Sequence, residues 1–262
     1  MRTPASKHSR QEGSDMDATV SPAEVLEPPK SVAARFAGVF FSPGATFADI
    51  TREPGFIPPL VAGILASVVV TETMLWKIGM ERIVRQQIEH SSRGATMTPE
   101  QVQQGVEQGA RIGGVIAHAA GALGMPVGML IVTGIGMLIV SAVFGSPIKF
   151  ATAFSVACYA SLVTLLGSLM AIAMMFFGDP EHFNPQSPVP SNAGFFLGPE
   201  TSKPLMSLAG SFDIFTFWFM ALLAIGFSEA THRNAKSLSL FWCFFGLWMV
   251  LVLIKMGFAM LG

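Results

Sequence analysis

No Asp, Glu, Lys or Arg occurs between Arg111 and Lys149, and the next run, Phe150 to Phe177, is equally free of them. A helix rising ~1.5 Å per residue crosses ~30 Å of hydrocarbon with about 20 apolar residues. Each run is long enough to do so. A spanning β-strand takes only about 10 residues and alternates between lipid and lumen, and neither property fits these runs. With water absent, backbone groups must be satisfied inside the segment, which leaves the helix. Composition agrees: 51% of the 262 residues are hydrophobic and 13% charged, with mean hydropathy +0.55, whereas about a quarter of a soluble domain is charged. The fold class expected is all-α membrane protein.

Five spans are read along the chain: Ile57 to Met80, Val115 to Phe144, Phe150 to Phe177, Leu208 to Phe227 and Leu240 to Leu261. The second and third are joined by Gly145-Ser146-Pro147, room for a turn only, so they form an antiparallel hairpin. Pro126 should kink the second. Gly124 and Gly128 on that helix, and Ala153, Ala157 and Ser161 on the third, recur every four residues and are read as helix-packing faces. Between the first two spans the helix continues past Glu81, breaks near Ser91 to Gly94 and restarts at Thr98-Pro99-Glu100-Gln101, a capping box with Pro at N1. Gly178 to Ser207 reads as a loop. Residues 1–30, rich in Ser, Pro, Glu and Asp, read as a disordered cytoplasmic tail, and 31–262 as one membrane domain. Val32 to Ile50 is apolar, aromatic and broken at Ser42-Pro43-Gly44. It is expected to lie in the interface as a helix, with Arg35 at the headgroups and Phe36, Val39, Phe40 and Phe47 in the boundary.

Nine basic residues (Arg2, Lys7, Arg10, Lys30, Arg35, Arg52, Lys149, Arg233 and Lys236) fall on one side of this five-span topology and seven on the other, which favours an inside N-terminus. Glu72, Asp213 and Lys255 lie within the spans. Counted from Ile57, Phe227 and Leu240, all three come about 21–23 Å from the inner boundary. A charge at depth needs a partner, so Lys255 is expected to bridge Glu72 and Asp213 in a polar network. The alternative places each side chain separately at the outer interface.

Nucleotide, metalloprotease and esterase motifs are absent from the sequence. Gly134-Ile135-Gly136 sits mid-helix, where no phosphate reaches. Cys158 and Cys243 lie in apolar runs and read as small hydrophobes, and His118 has no neighbour at metal-ligand spacing. No catalytic residue, metal or cofactor is expected. A formal charge of -1 argues against nucleic acid as a partner. The partners expected are the lipid bilayer, a protein at the N-terminal segment and further copies of the chain.

The order of several segments resembles the prokaryotic branch of the Ypt-interacting protein (Yip) domain family. These are RFAGVFFSPGATFADI, Glu53-Pro54 and PPLVAGI; Phe150, Ala153 and Cys158-Tyr159-Ala160; Asp213-Ile214-Phe215 with Trp218; Leu222 to Phe227; Asn234-Ala235-Lys236; and Trp242. The resemblance implies five membrane helices and a cytoplasmic N-terminus. Eukaryotic relatives are implicated in binding prenylated Rab-type GTPases and in vesicle trafficking. This chain lacks their Asp-Leu-Tyr-Gly-Pro entry and has Ala160 after Tyr159 in place of a Gly-Tyr pair, so that activity is not carried over. The function expected is a non-enzymatic, membrane-organising or partner-recruiting scaffold in a prokaryotic cytoplasmic membrane. The alternative is a small transporter or channel built on the Glu72, Asp213 and Lys255 level.

Overall fold

The computed structural model describes residues 28–89, 91, 94–178, 189–198 and 201–261, so the segment read as a tail lies outside it up to residue 27. The described residues fold into helices with no strand. In chain order the helices are α1 Val32–Phe41, α2 Pro43–Arg52, α3 Ile57–Lys77, α4 Met80–Glu89, α5 Pro99–Ala142, α6 Phe150–Ala160, α7 Thr164–Phe177, α8 Lys203–Ser211, α9 Ile214–Ala230 and α10 Ser237–Leu261. Four stretches are long and apolar enough to cross a membrane: α3, α5, the continuous run Phe150–Phe177 and α10.

Helix α5 starts sixteen residues before the span read from hydropathy. Its 44 residues run ~66 Å, twice the hydrocarbon thickness, so its first turns project into water. The capping box at Thr98 sets the start: the Gln101 amide donates to Thr98 Oγ1 (3.3 Å), and the Thr98 amide donates to Gln101 Oε1 (2.9 Å). The projecting part packs antiparallel against α4. Gly105 faces Ile88, Gly109 faces Val84 and Gly113 faces Met80, each step four residues along one helix and four back along the other. A side chain at Gly109 would meet Val84 Cγ1 at 2.7 Å, so the close approach requires glycine there.

One predicted span is found as read but tightens midway, and another is broken. The third is α6 and α7 joined by a 3-10 turn at Ser161–Val163. There the Ser161 hydroxyl donates to the Cys158 carbonyl (2.8 Å) and the Thr164 hydroxyl to the Ser161 carbonyl (2.7 Å), local bonds that compete with regular helix. The fourth, read as Leu208 to Phe227, is two helices, α8 and α9, with Asp213 between them as the N-cap of α9. Asp favours that place because its carboxylate satisfies free amides that a helix interior does not offer. Seventeen residues give α9 ~25 Å, short of a full crossing.

The core is centred on α6. Ala153, Val156, Ala157, Tyr159 and Ala160 pack with Val39, Phe47 and Ile50 of α1–α2, with Leu222, Leu223 and Phe227 of α9, and with Val140 of α5 and Leu240 of α10. Gly136 lies under the Phe227 ring, and Gly226 fits between Val156 and Phe47. Ala153, Ala157 and Ser161 sit within this core. Gly124 and Gly128 do not: a Cβ on either would meet nothing within 4 Å. The close approaches of α5 to α3 fall at Gly121, against Thr71, and where Gly63 meets Met125, because the neighbouring helix covers a different side of α5.

Candidate functional site: an ion pair under the N-terminal hairpin

The segment expected at the lipid interface is docked into the bundle. Ser31 caps α1, its side chain accepting from the Ala34 amide at 3.3 Å. Pro43 then starts α2 immediately after α1 ends, because proline at N1 gives up an amide that would be unpaired in any case. The two helices fold back on each other where Gly38 meets Thr46. Val39, Phe47 and Ile50 are completely buried, in protein rather than in the lipid boundary. The hairpin lies against α6 and α9. Phe36 meets Tyr159 edge-on at 6.0 Å and Phe40 meets Trp218 at 5.9 Å. Tyr159 is nine residues into α6, ~14 Å along its axis, and Trp218 is twelve residues before the end of α9, ~18 Å along it. The tip at Phe41, which is 85% exposed, therefore dips well below the end of the bundle.

Arg35 accordingly turns into the protein and not outward to meet a headgroup. Its Nε donates to Asp49 Oδ2 at 2.7 Å, with the side chains 9% and 6% exposed, and Nη1 donates to the Glu53 carbonyl at 3.1 Å. Asp49 also accepts from the Lys30 amide (3.2 Å) and from Arg52 Nη2 (3.4 Å). Lys30 Nζ donates to Thr46 Oγ1 at 3.4 Å. This carboxylate is therefore well supplied with donors, as a buried charge must be. Burial alone would lower the Arg35 pKa. The hydrogen bond and charge of Asp49 outweigh it, Tyr159 adds to them, and the net shift is upward, so the guanidinium stays charged. Tyr159 is the chain's single tyrosine. Its hydroxyl is enclosed and makes no well-formed hydrogen bond among the described residues, but it approaches the Arg35 guanidinium closely enough to act on it. The arrangement holds a hairpin in place and presents no nucleophile with a base.

The three residues read as one polar level have separate surroundings. Glu72 Oε1 pairs with His118 Nε2 at 3.3 Å, both about half exposed, while His118 Nδ1 lies 2.7 Å from the Gly114 carbonyl. Asp213 accepts from the Phe215 and Thr216 amides (2.8 and 3.1 Å) and from the Ser191 hydroxyl. Its backbone bridges to Asn192. The described part of the loop expected after Gly178 is therefore folded: Ala193–Phe196 is a 3-10 turn against α8. Lys255 is exposed on α10, and no ion pair among the described residues joins it to either carboxylate. Asp213 needs no cation at its depth because it caps α9, whose first free amides satisfy its carboxylate.

Two open clefts lie at opposite ends of the bundle. One, of about 440 Å³, is at the link between α9 and α10 and includes Glu229, Arg233 and Lys236. The other, of about 790 Å³, is where α3 passes into α4 beside α5 and includes Lys77, Arg82 and Arg111. Neither is lined by Glu72, Asp213 or Lys255. No group of three His, Cys, Asp or Glu among the described residues could hold a metal ion. The Arg35 site escaped sequence reading because its partner lies fourteen residues away across a turn. The signal was present in the pairing of one Arg and one Asp on the two arms of a Ser-Pro break. A family model described as Yip1 domain matches residues 37–257. No curated protein and no solved structure matches the chain.

Proposed function

We propose that this chain, which belongs to the Yip1 domain family, is a non-enzymatic membrane scaffold that recruits a protein partner at the end of the bundle carrying the N-terminal hairpin. It is an integral, multi-pass protein whose apolar helices face lipid. In this reading it belongs to the family's prokaryotic branch, lies in a prokaryotic cytoplasmic membrane with its N-terminus inside, and uses α9, extended by α8, as a fifth crossing. The observation that carries the reading is the docked α1–α2 hairpin, pinned by Arg35 and Asp49, because it joins the N-terminal segment rigidly to the membrane core.

Charge supports the orientation. In a five-span topology nine of the sixteen Lys and Arg residues fall on the side of the hairpin end and seven on the other, and an excess of Lys and Arg marks the cytoplasmic side. A transport role drew its support from one polar level, and the three residues of that level have no bond in common.

Deleting Val32 to Ile50 would not test recruitment, since Val39, Phe47 and Ile50 are core residues. The clean test removes residues 1–27, or reverses charge with K149E and K236E, and compares crosslinked partners in native membranes with the full chain. The scaffold reading expects a defined partner to be lost while the folded protein persists. Equal recovery of that partner from all three proteins would defeat it. A reporter after Gly262 checks orientation, and cytoplasmic exposure there would reverse it.

A further inference from the structure

The cleft at the α3–α4 turn lies at the boundary between water and hydrocarbon on its side of the bundle. Lys77 is the last residue of α3, and Arg111 is the last charged residue before the charge-free run of α5. Trp76, 73% exposed, is placed where aromatic side chains mark that boundary. The cleft is lined by Lys77, Arg82 and Arg111 together with Glu81 and Glu107. None of the three cations has an ion pair among the described residues. Lys77 Nζ lies over the Trp76 and Phe176 rings at 4.5 and 4.4 Å. Glu107 stands four residues before Arg111, a spacing that favours a pair, yet it accepts from Gln103 Nε2 at 2.9 Å. Guanidinium groups that have no ion pair among the described residues and stand beside a lipid surface suit phosphate, which takes their planar fork of donors. Two carboxylates in the same cleft suit a primary ammonium.

We propose that this cleft seats the headgroup of a membrane phosphoethanolamine lipid, its phosphate on Arg82, Arg111 and Lys77 and its ammonium on Glu81 and Glu107. Headgroup phosphate and free phosphate share this chemistry, and the acyl chains decide between them, because only a lipid also lies along the exposed apolar flank of α5 at Ile112, Val115 and Ile116.

The test uses the full chain in a non-ionic detergent and measures binding of short-chain phosphatidylethanolamine, phosphatidylcholine and phosphatidylglycerol, and of inorganic phosphate, by native mass spectrometry. Saturable one-to-one binding of the ethanolamine lipid is expected, about ten-fold tighter than the choline lipid, whose quaternary ammonium donates no hydrogen bond. R82Q with R111Q should weaken it about ten-fold or more, the loss of charge-assisted bonds. E81Q with E107Q should abolish the preference for ethanolamine over choline. Unchanged melting temperatures would show that the variants are folded. R233Q with K236Q, in the cleft at the other end, should change nothing. Equal binding of all three lipids, unchanged binding in R82Q with R111Q, or inorganic phosphate competing as well as the lipid would each overturn the proposal.

Discussion

Arg35 Nε donates to Asp49 Oδ2 across 2.7 Å, and each side chain is less than a tenth exposed. The two residues belong to opposite arms of the hairpin, so their bond closes α1 onto α2 as Phe36 and Phe40 close the pair onto α6 and α9.

Breaking that pair from one side leaves a charge in a poorly solvated place, which typically costs about 3–5 kcal/mol. Arg35→Met alone or Asp49→Asn alone should therefore lower the thermal midpoint in detergent sharply. Arg35→Met together with Asp49→Leu should recover most of it, because neither charge is then stranded. A double variant no better than the worse single would mean that the pair does not act as a unit.

Tyr159 predicts the opposite sign. Its ring packs against Phe36 while its hydroxyl makes no well-formed hydrogen bond among the described residues. The enclosed hydroxyl has only its approach to the Arg35 guanidinium to set against a desolvation cost of about 1–3 kcal/mol, which its removal relieves while the ring stays. Tyr159→Phe should thus melt at the same temperature as the parent or higher, and Tyr159→Ala well below it. A lower midpoint for the Phe variant would show that the hydroxyl is bonded in the membrane.

What could be read from sequence divides along physical lines. Long apolar runs and the Thr98 capping box are local properties, and they located α3, α5, the joined run of α6 and α7, α10 and the restart at Pro99. The break at Asp213 was local too: an Asp followed by an apolar run is an N-cap signal, but a hydropathy window passes over a single residue. Pairings across elements were hidden. Gly124 and Gly128 have the spacing of a packing face, as do Gly105, Gly109 and Gly113, yet only the second set meets a helix. Spacing marks a smooth stripe; the path of the neighbouring helix decides whether it is covered. Arg35 looked like a headgroup ligand for the same reason, its partner being tertiary.

The separate surroundings of Glu72 and Lys255 give a third prediction. Glu72 bonds His118 and Lys255 is exposed on α10, so Glu72→Lys combined with Lys255→Glu should yield no more folded protein than the poorer single variant. Glu72→Gln should lose about 1 kcal/mol or less, the usual value of a half-exposed pair. Rescue by the charge swap, read as recovered monodisperse protein after extraction, would restore the shared polar level and with it the transport alternative.

Gly136 and Gly124 lie twelve residues apart on α5, and their contrast isolates packing from helix propensity. At Gly136 an added Cβ runs into the Phe227 ring, itself fully buried. At Gly124 it enters open space. Both substitutions gain the helix preference of alanine over glycine, so any difference between them is steric. Gly136→Ala should destabilise by about 1–3 kcal/mol, the usual range for overpacking a filled core, and Gly124→Ala should be neutral or slightly stabilising. The pair Gly136→Ala with Phe227→Leu should regain part of the loss, since the smaller side chain vacates the space that the new methyl needs. Thermal melts of the four proteins in one detergent check this. Equal midpoints for the two alanine variants would mean that α5 does not rest on α9 at Gly136.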